Sequence, residues 1–199
     1  AQWREHYADV VPHVDELYRL FHILREQREV RGAMDFDSVE TRIVFDAERK
    51  IQEIVPTERH HAHMLIEECM LAANVCAADF FTRYEIPALY RVHKGPSSEK
   101  FENLGAFLGE MGLTMPNGKD PAPKDYQTLL SQIEKRPDSH LIQTVLLRSL
   151  SQAKYEPENE GHFGLAYKAY THFTSPIRRY PDLLVHRGIR SVIRSEQEC

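Results

Sequence analysis

Arg178 and Arg179 stand side by side near the end of an aromatic-rich run, GHFGLAYKAYTHFTSPIRRYPDLLVHR, over residues 161–187. Guanidinium groups bind phosphate oxygens through parallel N–H donors, and aromatic faces stack on unpaired bases. Together they suit a single-stranded nucleic acid. Within the run, Thr174-Ser175-Pro176 is a helix-start signal, with Ser175 as N-cap and Pro176 as first helical residue. A loop ending at a helix start presents backbone N–H groups, which adds a natural phosphate seat. Tyr170 and His172 fall on one side of the preceding stretch, and Phe163, Leu165 and Tyr167 on the other. Asp182, four residues after Arg178, is placed to orient its guanidinium. Pro181 opposes an unbroken helix, which leaves a short turn over 175–180 followed by the helix, or a kinked helix. A plain strand-turn-helix with a solvated cationic face has the same composition, so the rest of the chain must decide.

A second group of polar residues lies in the apolar segment MLIEECMLAANVCAADFF. Glu67, Glu68 and Asn74 sit where burial is expected, and Glu67 and Asn74, seven apart, share a helical face. Buried polar groups need partners. A ligand rich in hydroxyls is one, and a hydrogen-bond network within the protein is the other. Asp35 and Asp37 alternate with Met34 and Phe36 and share a strand face, but two carboxylates alone make a weak metal signal. His60, His61 and His63 look like a metal tract, but His60 and His61 diverge around a helix and no downstream Cys or His lies at zinc spacing.

These residues need elements to hold them. Residues 3–31 predict a helix whose apolar face is Val10, Val14, Leu17, Leu20, Phe21 and Leu24. Gly32 predicts its stop, with Arg25, Arg28 and Arg31 as dipole complement and solvated face. Residues 33–55 read as strands. Residues 56–84 read as the strongest helix, with Ile66, Cys69, Ala73, Cys76 and Phe80 as its buried stripe. Residues 85–93 read as extended. Helices follow over 98–111, 125–135 and 139–152, and residues 154–160 read as a polar loop. A strand is expected near 163–172, and a final helix buries Leu184, Gly188, Ile189 and Val192. The expected class is α+β, predominantly helical with a small β component.

The chain has 199 residues and a net charge of -5, so nucleic-acid binding must come from a local patch rather than the whole field. Cys69, Cys76 and Cys199 are an odd set without compact spacing, which fits a reducing compartment and a cytoplasmic site. No apolar run is long enough for a membrane span. Ala1 and Cys199 read as cut ends of a longer chain.

The phrases YTHFTSPIRRYPDLLVHR, HMLIEECMLAANVCAADFF, RGAMDFD and FDAERKI resemble the catalytic RNB domain of the RNase II superfamily over essentially the whole chain. The resemblance implies a processive 3′-to-5′ exoribonuclease that hydrolyses single-stranded RNA with Mg²⁺ to nucleoside 5′-monophosphates. It implies that Arg178 contacts the phosphate of the 3′-terminal nucleotide. It maps a base-clamping phenylalanine to Phe36, and a ribose-contacting glutamate to Glu68, with Glu67 the nearest rival. Tyr170, His172, Ser175, Arg179 and Asn74 complete the expected RNA-binding set.

The family's aspartate cluster, spaced D-x5-D-x-D-D, does not occur in this sequence. Nor do the family's cold-shock and S1 domains, and the aromatic partner of the Phe36 clamp is expected upstream of Ala1. The chain is therefore expected to be residues 1–199 of a partial RNB domain, to bind no metal specifically, and to be inactive alone. Its expected partners are single-stranded RNA and the remainder of the parent protein. It is also expected to expose apolar surface and self-associate. The competing reading is a non-catalytic RNA-binding or scaffold protein with the RNB outline. The DNA upstream of Ala1 separates the two: an aspartate cluster there supports the enzyme.

Overall fold

The computed structural model describes residues 2–36, 41–57, 59–118 and 120–197. In order these form helices α1 (Gln2–His6) and α2 (Val11–Arg31), strands β1 (Thr41–Phe45) and β2 (Ile51–Pro56), and helix α3 (His61–Arg83). Strand β3 (Tyr90–Val92), helices α4 (Ser98–Glu110), α5 (Pro123–Ile133) and α6 (Ser139–Ser149), strand β4 (Lys154–Glu156), a 3-10 turn (Phe163–Leu165) and helix α7 (Tyr180–Gln197) complete the chain. The class is α+β, mostly helical. The strands form two antiparallel pairs, β1 with β2 and β3 with β4.

Two of the apolar centres among the described residues position the turn and the α4–α6 helices. Leu104 and Leu108 of α4, Tyr126, Leu129 and Ile133 of α5, and Ile142 and Leu146 of α6 are buried together, with Met34 inserted from the segment after α2. The second centre joins Ala77 and Phe81 of α3 to Val185 of α7. There Gly188 allows close approach, since a Cβ at that position would lie 2.6 Å from a ring carbon of Phe81. That contact sets α7, and the arginine turn before it, against α3.

Gly32 ends α2 in the left-handed region (φ 84), and its Cβ would meet the Lys124 backbone at 3.0 Å. The chain then turns into the α4–α6 core, where the Met34 N–H bonds the Gly164 carbonyl (3.0 Å). This corrects the strand expected from residue 33. Residues 33–36 are irregular, and their alternation reflects Met34 turning inward and Asp35 outward to arginines. The hairpin strands begin at Thr41. Asp37 and Val39 lie outside the described residues.

The strand expected near 163–172 is also corrected. Side chains intercept the N–H groups that a ladder would use: Gly164 donates to His93 Nδ1 (2.9 Å) and Leu165 to His162 Nδ1 (3.2 Å). Ala166 then adopts φ 53. The partner of β3 is instead β4, in the segment read as a loop.

Two stripes are corrected as well. On α3 the buried positions are Leu65, Glu68, Leu71, Asn74, Ala77, Ala78 and Phe81, one step round from the expected stripe. Ile66 and Cys76 are exposed. On α2 only Phe21 and Arg28 are buried, while Val10, Val14, Leu17 and Leu20 face out. The polar residues of α3 explain its rotation, because Arg28 of α2 must reach Glu68. No described helix is long and apolar enough to cross a membrane.

Candidate functional site

The turn before α7 is held by side chains from two helices. Asn74 Oδ1 accepts the N–H groups of Phe173 (2.9 Å) and Thr174 (3.3 Å), and Asp182 Oδ1 accepts that of Ser175 (2.8 Å). Thus three consecutive amides are tied to two buried acceptors. The Ser175 carbonyl then accepts the N–H groups of Arg178 (3.2 Å) and Arg179 (3.0 Å). Of the two arrangements open in the sequence, the structure takes the short turn followed by the helix. Ser175 does not cap α7 as expected, and Pro176 is not its first residue. Pro181 instead occupies the first turn of α7, where a missing N–H costs no helical bond.

Asp182 is fully buried and binds Arg179 Nη2 at 2.8 Å, so it orients Arg179 rather than Arg178. The Arg178 side chain is exposed and makes no hydrogen bond with the described residues, and Ile177 beside it is also exposed. Asn74 Nδ2 donates to the Tyr170 hydroxyl (2.9 Å), so both ends of the Asn74 amide are engaged within the protein.

Glu67, Asn74, Tyr170 and Arg179 come together in the walls of one cleft of about 330 Å³, with Ile66 and Met70. Phe36, Glu68, His172, Ser175 and Arg178 are not among its lining residues. Phe36 is half-buried against the α4–α6 core. Tyr170 stacks on Tyr167 (centroids 5.8 Å apart), and the Arg31 guanidinium covers the Tyr167 ring at 4.0 Å. His172 shares a 2.6 Å hydrogen bond with the Tyr155 hydroxyl of β4.

Behind the cleft lies a charge network that the sequence did not suggest. Arg28 Nη1 bonds Glu68 (2.8 Å) and Glu67 (3.3 Å), and its Nη2 reaches Asp35 (3.5 Å). Arg25 bonds Asp35 at 2.8 Å, and Arg59 pairs with both Glu67 and Asp35. Reading Arg25 and Arg28 as a solvated face is therefore corrected. Burial opposes the Arg28 charge, yet the Glu68 bond and the surrounding carboxylates raise its pKa above the ordinary value. Likewise burial works against the Asp35 carboxylate, but the Arg25 bond and neighbouring guanidiniums hold its pKa below the usual range. The available signal was the seven-residue step from Phe21 to Arg28, which puts both on one face of α2.

A model of the RNB domain matches residues 2–195. The chain belongs to the RNB-domain family. It is 50% identical over 194 residues to ribonuclease R of Vibrio cholerae, covering 98% of this chain and 24% of that protein. The same figures hold for ribonuclease R of Escherichia coli. The chain thus spans about a quarter of the length of these relatives. The solved structure of Mycoplasma genitalium RNase R in complex with ribose methylated single-stranded RNA matches with a TM-score of 0.84 at 33% identity, over 89% of this chain and 28% of that one.

Within this part of the RNB domain, no three described His, Cys, Asp or Glu residues gather to hold a metal ion. Asp35 is enclosed by arginines, and a second cation there would meet their repulsion. The described residues do not fit a magnesium seat.

The histidines near the turn give the RNB domain a pH signature. Burial, then the charge of Arg179, pushes His172 down to about 4. Burial, then the charge of His93, pushes His162 down to about 3. Both fall from an ordinary 6.5, so the unfolded chain takes up protons that the folded chain refuses. Stability is fully present above pH 6.5 and is expected to decline as pH falls from there towards 4. Asp35, with its folded pKa below 3.8, loses its contribution only at lower pH. Urea denaturation midpoints at pH 7, 6 and 5 check this; a flat profile over that range contradicts neutral, half-buried histidines.

Proposed function

We propose that this chain is the RNA-gripping part of the RNB domain of a 3′-to-5′ exoribonuclease that hydrolyses single-stranded RNA processively to nucleoside 5′-monophosphates. The observation that carries this reading is the arginine turn. Two buried acceptors fix it beside a cleft that presents Glu67 and Tyr170, while Arg178 stays exposed and unpaired among the described residues. Such a cation matches a phosphodiester, whose charge grows during attack. Glu67 accepts the ribose 2′-hydroxyl that distinguishes RNA from DNA. Glu68, committed to Arg28, supports Glu67 from behind. Phe36, next to the anchored Asp35, offers a base-stacking face. His172 and Ser175 shape the turn.

Mg²⁺ in the parent enzyme would activate water and stabilise the leaving oxygen, and no described cluster of His, Cys, Asp or Glu would hold it. The chain alone therefore grips RNA without hydrolysing it at a meaningful rate. Steady release of mononucleotides by the purified chain contradicts that reading. A second reading, a non-catalytic RNA-binding RNB protein, rests on the missing metal-ligand group among the described residues. The 50% identity to ribonuclease R supports the enzyme over it.

The test is Arg178→Ala, read by fluorescence anisotropy with a labelled oligoribonucleotide over a salt series. Affinity is expected to fall about tenfold at low salt, because a charge-assisted contact is lost. The slope of log K against log salt is expected to shrink by about 0.7, as for one phosphate contact to a single strand. Stability is expected to change by less than about 0.5 kcal/mol, since Arg178 is exposed. Unchanged affinity and slope contradict the assignment.

A further inference from the structure

We infer that Asp182 is a positioning residue that aims Arg179 at an RNA phosphodiester in the cleft. The inference rests on the nuclease reading only for the identity of the ligand. Its basis is how the carboxylate is used. Asp182 is fully buried, yet a single oxygen, Oδ1, accepts both the Ser175 N–H and Arg179 Nη2, each at 2.8 Å. The other oxygen, Oδ2, is buried without a partner, as are Thr174 Oγ1 and Arg179 Nε. Three unsatisfied polar atoms thus fall within residues 174–182, flanking the one turn.

Burying a carboxylate costs several kcal/mol even when it is paired, and buried orphan atoms call for a reason. Turn closure does not supply one. Asn74, a neutral side chain, already accepts the two preceding amides, so a neutral acceptor would serve for Ser175 as well. What a neutral acceptor cannot do is hold the guanidinium of Arg179 against the pull of Glu67, which lines the same cleft. Asp182 takes Nη2 on the protein side, and Nη1 makes no hydrogen bond with the described residues. A guanidinium fixed at one nitrogen and open at the next matches the paired oxygens of a phosphodiester. Arg178 and Arg179 then form a split pair, the first free to move and the second held.

The test compares Asp182→Asn, which keeps the shape and an acceptor for the Ser175 N–H, with Arg179→Ala and the double variant in the 199-residue chain. In the RNA-free protein, Asp182→Asn is expected to leave the Ser175 amide protected from exchange. The Arg179 Nη2–H, followed by NMR, is expected to exchange about tenfold faster, as for a lost charge-assisted bond. Unchanged Arg179 exchange overturns the inference. With RNA, Asp182→Asn is expected to weaken binding about tenfold and to lower the salt slope by about 0.7. The double variant is expected to bind no worse than Arg179→Ala, because the two residues act as one unit. Independent, additive losses overturn the positioning role, since a general loss of stability adds to any contact. If Arg179 is released as expected but the wild-type chain shows no salt-sensitive RNA binding, the nuclease reading fails and the Asp182 clamp on Arg179 stands.

Discussion

Replacing Arg28 by Met is expected to destabilise the chain by about 3–5 kcal/mol, the usual cost of stripping one partner from a buried ion pair. The side chains of Arg28 and Glu68 are 7% and 4% exposed, so Glu68 cannot recover solvent when its cation leaves. Arg28 also ties Asp35 and the Met34 carbonyl, which anchor the segment entering the α4–α6 core. The double variant Arg28→Met, Glu68→Leu removes both charges and is expected to regain most of the loss. Glu67 keeps its Arg59 partner in that variant. Urea denaturation of the two proteins measures the difference. Equal stability of the single and double variants contradicts an electrostatic origin and points to lost packing around Arg28 instead.

The sequence showed the helices well and the strands poorly, and the physical reason is local. Helices α4, α5 and α6 carry periodic leucines and isoleucines, and these define the larger core. Their periodicity survives without knowledge of any distant partner. The two strand errors arose where a side chain or a distant carbonyl outbid a ladder partner. Gly164 donates to His93, and Met34 donates to Gly164. Neither bond has a local signature. The signature turn was legible as chemistry, since Ser175, Arg178 and Arg179 lie in a short run. Its fastening was less so. The four-residue spacing pairs Asp182 with Arg178, but the turn before α7 brings Arg179, three residues away, within reach. Apolarity alone points to a face of α3 one step away from the one that is buried. Glu68 and Asn74 belong to the buried face, and their partners come from α2 and from residues 170–174, far along the chain.

Asn74 is where these long-range ties converge, and Asn74→Leu is expected to cost about 3–5 kcal/mol, from orphaned groups that each lose about 1–3. The substitution keeps the branching and heavy-atom count of the side chain, so it opens no cavity. It leaves the Phe173 and Thr174 amides and the Tyr170 hydroxyl without their present partner. Tyr170 is 5% exposed, so water does not readily replace the amide there. On the same helix, Ile66→Ala is the control: Ile66 is 57% exposed and its truncation is expected to stay within about 0.5 kcal/mol. The two losses also differ in place. Asn74→Leu is expected to raise amide exchange over residues 173–179 before the α4–α6 core loosens, because that core shares no bond with Asn74. Hydrogen exchange resolved by mass spectrometry separates the two regions. Uniform loss of protection across the chain contradicts a local role and makes Asn74 a support of the whole fold. Protection lost first at the turn means that one amide side chain on α3 holds the arginine turn before α7 in place.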